Sequence, residues 1–201
     1  VTFTFNEAPQ GFALGDIAST QGSFSGLTAT ANPLVWTATF TPNANIEDTA
    51  TVTVTAGSYT DDAGNLGTAG SDTTLVDNQG PAAPTLALTT DSGVSSSDKI
   101  TNDGTLTVSG TETGALVEYS TNGTDWSSSF TPAQGSNTVY VRQTDSAGNV
   151  SPASPALTFT YDTTAPSVTV DIAATALKAG ETSSVTFTFN EAPQGFALGD
   201  I

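Results

Sequence analysis

The sequence predicts an all-β protein, a tandem run of small antiparallel two-sheet sandwiches. Short segments alternate apolar with polar side chains at period two, and Gly, Asn, Asp and Pro punctuate every gap. A repeat then sets the same blocks down more than once along the chain. No segment has a helical period.

In chain order, the alternation predicts strands over residues 1–5, 36–40, 50–55, 106–108, 117–119, 138–141 and 157–161. The solvent side of these stretches is rich in Thr, whose branched side chain suits the exposed face of a strand. The remaining segments read as turns and short connecting strands.

The repeat fixes the organisation. Residues 1–17 recur unchanged as residues 185–201, a period of 184. Exposed positions drift freely under fold constraints alone, so such identity implies recent tandem duplication. A weaker repeat lies inside the period: Phe40-Thr41-Pro42, Asp61 to Asn65, Asp77 and Pro81 are echoed by Phe130-Thr131-Pro132, Asp145 to Asn149, Asp162 and Pro166. The predicted modules are therefore 81–165, a complete module of type A, and two pieces of a type B module. Residues 1–80 are the first piece, lacking its opening strand, and residues 166–201 are the front of the next copy. The missing opening strand corresponds to residues 167–172, and an uncovered sheet edge invites completion by another molecule. That predicts either a disordered N-terminus or head-to-tail self-association.

Composition excludes whole classes of chemistry. Twenty carboxylates face three Lys or Arg, a net charge of −17, which repels nucleic acid and anionic lipid and attracts cations. There is no Cys and no His, so the segment holds no disulfide, no thiolate nucleophile, no Ser-His-Asp triad and no nitrogen- or sulfur-ligated metal site. No run of 18 apolar residues predicts membrane insertion, and nothing at Val1 resembles a signal peptide, so the expectation is a soluble, internal piece of a longer chain.

The carboxylates fall at the joints. Tracing strand directions through a seven-strand sandwich puts the turn from Asp145 to Asn149 at the upstream joint, near Asp77. Glu47 and Asp48 approach the same place from the preceding module, and Glu112 from the other side. A second group, Asp91, Asp98 and Asp103, is delivered to the downstream joint beside Asp162. Asp61 heads a turn of the same D-x-A-G-N type as Asp145. Like charges gathered on one linker repel unless a cation joins them, and oxygen-only ligands select calcium over transition metals. No full EF-hand loop is present, which predicts weak binding, roughly 10⁻⁴ to 10⁻³ M. The rival reading of these residues is as solvated Asx-turns.

The D-x-A-G-N turns at Asp61 and Asp145, the Asp-Thr-Thr-Ala-Pro joint at Asp162, the Asp-Ser-Gly at Asp91 and the Lys-Ala-Gly-Glu-Thr turn at Lys178 occur in a specific order. In that order the chain resembles the bacterial Ig-like tandem repeats of giant adhesins exported by type I secretion, the RTX or biofilm-associated family. The resemblance implies immunoglobulin-like Greek-key sandwiches of about seven strands, display on the bacterial cell surface, and calcium between neighbouring modules of the same chain. It also implies a non-enzymatic spacer that projects a distal ligand-binding domain for attachment or biofilm formation. The chain departs from the family's terminal domains in having no glycine-rich nonapeptide tract. Two alternatives stand beside this: a carbohydrate-binding module using Trp36 or Trp126, and a structural repeat of a surface layer or phage fibre. Trp36 sits in an alternating strand and reads as core, whereas Trp126 lies in a more open turn.

Overall fold

The computed structural model describes residues Val1–Ile201, and nearly all of its regular structure is β. The strands are β1 (Thr2–Thr4), β2 (Ile17–Ser19), β3 (Gly22–Ala29), β4 (Val35–Pro42), β5 (Glu47–Val54), β6 (Gly70–Asp77) and β7 (Thr85–Leu88). They continue as β8 (Ile100–Thr101), β9 (Leu106–Ser109), β10 (Leu116–Ser120), β11 (Gly135–Thr144), β12 (Leu157–Tyr161), β13 (Val168–Ile172) and β14 (Val185–Phe189). Two single 3-10 turns, Leu14–Asp16 and Leu198–Asp200, are the same sequence one period apart.

Two compact units form. The first comprises Val1–Ala87, Thr107–Phe130 and Thr138–Leu157, and the second comprises Leu88–Leu106, Thr131–Asn137 and Thr158–Ile201. In the first, sheets β1-β4-β3 and β2-β5-β6 enclose a core of Phe3, Phe12, Ile17, Ala38, Val52 and Val54. The period-two pattern explains it: in β5 the inward Ala50, Val52 and Val54 are buried, while Thr51 and Thr53 face outward and are half exposed. Phe5, Trp36 and Tyr59 complete the core around Phe12, with Phe12 edge-on to Phe3, Phe5, Trp36 and Tyr59 at centroid separations of 5.0 to 5.9 Å. The same unit holds the antiparallel pair β10-β11, where Val139 and Val141 are fully buried.

The first strand is ordered rather than loose, against one arm of the sequence expectation. Thr2, Phe3 and Thr4 pair with Thr37, Trp36 and Val35, and the Val1 carbonyl accepts from the Ala38 N–H at 3.0 Å. Burial of Phe3 anchors it. In the second unit β12 runs parallel to β8, and β13 pairs antiparallel with β14.

Candidate cation-binding loops

The D-x-A-G-N sequence builds one turn twice. At Asp145, Oδ1 accepts the N–H groups of Ala147 at 2.9 Å and Asn149 at 2.8 Å, and Oδ2 accepts the Asn149 amide at 2.9 Å. At Asp61 the same three bonds come from Ala63 and Asn65, at 2.9, 2.9 and 2.7 Å. Gly64 and Gly148 close the turns at φ of 87° and 94°, a region where a Cβ is strained. Each Asp is thus a local cap for its own turn.

Hydrogen bonds hold the charged forms. The Asn65 side chain, then the turn's backbone N–H groups, keep Asp61 below the ordinary carboxylate value. For Asp145, desolvation pushes upward, but the amide and N–H of Asn149 with those of Ala147 and Gly148 outweigh it, and the net shift is downward. Thr105 holds Asp103 down, and the Thr164 N–H with the Gln134 amide does the same for Asp162.

Asn149 carries the turn onto the upstream linker. Its amide donates to Asp77 Oδ1 at 3.1 Å and to the Asp77 carbonyl at 3.3 Å while still bonded to Asp145. Gly80 follows this contact so closely that a Cβ there would meet the Val150 carbonyl oxygen at 2.9 Å. Glu47 is the cross-strand partner of Asp77 between β5 and β6, so two like charges lie opposite each other. Asp48, one residue on, faces the other way and accepts from Gln21 at 3.0 Å. Glu112 is positioned through its backbone, its N–H donating to Gln143 Oε1 at 2.8 Å. The structure therefore ties Asp77 and Asp145 together through the Asn149 amide, sets Glu47 in register opposite Asp77, and gives Asp48 to Gln21.

The second loop is built on Thr101, which is 2% exposed. Its Oγ1 lies 3.0 Å from the Thr90 carbonyl and 3.1 Å from that of Asp103, and its own carbonyl accepts the Asp162 N–H at 2.9 Å. Asp91 Oδ2 accepts from the Lys99 N–H, Asp98 Oδ1 from that of Ile100 and Asp103 Oδ1 from that of Thr105, at 2.9, 3.0 and 3.0 Å. Lys99 takes the left-handed backbone, φ 61°, to make its bond. Asp162 Oδ1 accepts from the Thr164 N–H at 3.0 Å and from the Gln134 amide.

No group of three or more acidic side chains closes into a metal cage. Asp61, Asp91, Asp98, Asp103, Asp145 and Asp162 each accept at least one hydrogen bond from the turn that carries them. The other oxygen of Asp91, Oδ1, is buried without a hydrogen-bond partner. The donor set is oxygen throughout, which suits calcium, and the Asp91 loop offers the oxygen most in need of a partner.

Sequence reading missed Gln143, Gln134 and Asn78. Gln143 shares the inward parity of Asn137, Val139 and Val141 and is fully buried, a polar residue next to two inward valines. Asn78 Oδ1 accepts the Ile46 N–H at 2.8 Å and its amide donates to the Asn43 carbonyl at 2.8 Å, which locks the turn beside Asp77. Trp36 lies edge-on to Phe12 in the core cluster, and the Arg142 guanidinium covers the Trp126 ring at 4.4 Å.

Two family models, each of a bacterial Ig-like domain, match the chain, one at residues 1–77 and 162–201 and the other at residues 79–163. Among curated proteins, none matches.

Proposed function

We propose, from the premise that this chain belongs to the bacterial Ig-like domain family, that it is a stretch of extender repeats in a large bacterial surface adhesin. Bacterial Ig-like domains serve as extracellular or surface repeats and are generally non-catalytic. No helix here is long and apolar enough to cross a membrane. The spacer reading rests above all on the unchanged return of residues 1–17 at 185–201, because verbatim duplication lengthens an array without altering any site.

The joints are where such an array gains stiffness. The tie between Asn149 and Asp77 supports this, since it fastens the last residue of β6 to the Asp145 turn. With a net charge of −17 and Glu47 set against Asp77, a cation is the natural partner of these loops. Calcium would be held through Asp91 in the second loop and through Asp77 with Asn149 at the first. There it would supply positive charge between carboxylates and make the angle between neighbouring modules stiff. Small-angle scattering tests this: millimolar calcium narrows the distribution of maximum dimension relative to chelator. Superimposable profiles would remove calcium stiffening and leave a flexible tether.

A further inference from the structure

The connection between β10 and β11 holds the chain's one Asn-Gly pair, Asn122-Gly123. We propose that Asn122 is a fold-gated deamidation site, inert while its turn is closed on β10 and converted to aspartate or isoaspartate once the turn opens. The spacer reading stands or falls without this.

The intrinsic reactivity comes from the sequence. Deamidation requires the backbone nitrogen of the next residue to reach the Asn Cγ, an approach that is easiest where that residue has no side chain and a permissive backbone. Gly123 supplies both, with φ at 78° and nothing within 4 Å of where a Cβ would stand. Every other Asn in the chain is followed by a residue that carries a side chain. As the Gly123 nitrogen loses its proton and bonds Cγ, the Cγ–Nδ2 bond breaks and ammonia leaves, closing a succinimide ring. Water then opens the ring at one carbonyl or the other, giving aspartate or isoaspartate.

The fold occupies every atom that this reaction must move. The nucleophile, the Gly123 N–H, donates to Ser120 Oγ at 2.9 Å. The electrophile is pinned through Asn122 Oδ1, which accepts the N–H groups of Thr124 and Asp125, both at 2.9 Å, and the Ser120 hydroxyl at 3.0 Å. The leaving amide, Nδ2, donates to Asp125 Oδ2 at 2.6 Å. Ring closure removes the proton from the first of these bonds and swings Cγ out of the others. The lock is fastened to the sheet, because Ser120 ends β10, pairs with Tyr140 and is 3% exposed. Tyr119 and Ser127 exchange N–H to carbonyl bonds at 2.7 and 2.9 Å across the base of the turn. Beside them Arg142 of β11 joins Glu118 at 2.9 Å and covers the Trp126 ring. Opening the turn breaks the pair at its base and frees Trp126, so the deamidation rate is the intrinsic rate multiplied by the open fraction.

The change runs one way. Aspartate at position 122 replaces the amide that donates to Asp125 with a second carboxylate, so a bond becomes a repulsion. Isoaspartate inserts an extra carbon into the main chain and displaces the groups that Ser120 and Asn122 now bind. Neither product rebuilds the turn. A module that has opened and reacted therefore stays loosened and carries one more negative charge.

Peptide mass spectrometry of the full chain, incubated folded and in urea in mildly alkaline buffer, reads the site directly. In urea Asn122 deamidates at least about tenfold faster than Asn65 and Asn149, which precede Leu66 and Val150. In the folded chain Asn122 reacts at least about tenfold more slowly than in urea. Ser120→Ala, checked for folding by circular dichroism, and Asp125→Ala, at an exposed position, each raise the folded-state rate about threefold or more and leave the rate in urea unchanged. Chains deamidated in urea and returned to buffer melt below parent chains taken briefly through the same cycle. Equal rates folded and unfolded, an Asn122 no faster in urea than Asn65, folded variants no faster than the parent, or an unchanged melt after deamidation would each overturn the proposal.

Discussion

Replacing Gln143 by Leu removes one buried amide and strands three groups. The side chain is fully buried. Its Oε1 accepts the Glu112 N–H at 2.8 Å, and its Nε2 donates to the carbonyls of Ala82 at 2.8 Å and Gly110 at 3.1 Å. Leu fills a similar volume, so the cavity contribution is small and hydrogen bonding decides. A buried polar group left without a partner costs about 1–3 kcal/mol. Ala82, Gly110 and Glu112 are themselves exposed residues, so water relieves part of this and the low end applies. Three stranded groups at about 1 kcal/mol each give a loss of about 3 kcal/mol. For a domain of under about 100 residues that lowers Tm by roughly 12–24 °C. Gln143→Glu is worse at neutral pH, because a carboxylate faces two carbonyl oxygens, and it recovers in mild acid once the carboxyl can donate. Differential scanning calorimetry of the transition that includes β11 reads both effects. A Tm for Gln143→Leu within about 3 °C of the parent, about 0.5 kcal/mol on the same scale, would refute the reasoning.

Gly67→Ala drives its Cβ into the Tyr59 ring, which is packed on Phe5 and Phe12, whereas Gly70→Ala meets nothing within 4 Å. Urea melts should show a loss of about 1–3 kcal/mol for the first and under about 0.5 for the second. In a carboxyl ¹³C titration, Asp61, Asp103, Asp145 and Asp162 have midpoints below the ordinary 3.8. A lowered folded pKa means the unfolded chain binds protons first, so the stability these turns add is fully present above the ordinary 3.8 and lost as pH falls from there through the lowered midpoints. Midpoints at or above 3.8 would contradict the turn geometry. Because Arg142 covers the Trp126 ring, its fluorescence on a glycan panel shows no saturable quenching; a saturable response would favour carbohydrate binding over a spacer.

The fold was legible where physics is local. Period-two alternation located β1, β4, β5, β9, β10, β11 and β12, since inward and outward faces of a half-buried strand differ in polarity. It did not reveal β3, where Gly22, Gly26 and Ser residues blur the pattern and Gly26 at φ 65° lies in a register shift. β6 was hidden too, because most of its side chains are exposed and its burial turns on Val76. The placement of Asn149 on Asp77 follows from strand direction, which sequence supplies. What sequence could not supply is the fate of each oxygen. Asp48 and Glu47 are neighbours in sequence, but a strand sends them to opposite faces, and Asp145 spends its oxygens on its own turn. Gln143 carried a signal, an amide at an inward position, that only a parity count would have picked out.

Thermal unfolding of the chain in excess calcium and then in chelator tests the calcium-stiffened spacer most directly. The account predicts a higher Tm with calcium, by the amount that binding to the folded state alone confers, about 2.7 kcal/mol at a hundredfold excess over Kd. It also predicts that Asp91→Ala and Asp77→Ala each shrink that gain. Superimposable curves would contradict it, leaving the acidic loops as solvated turns.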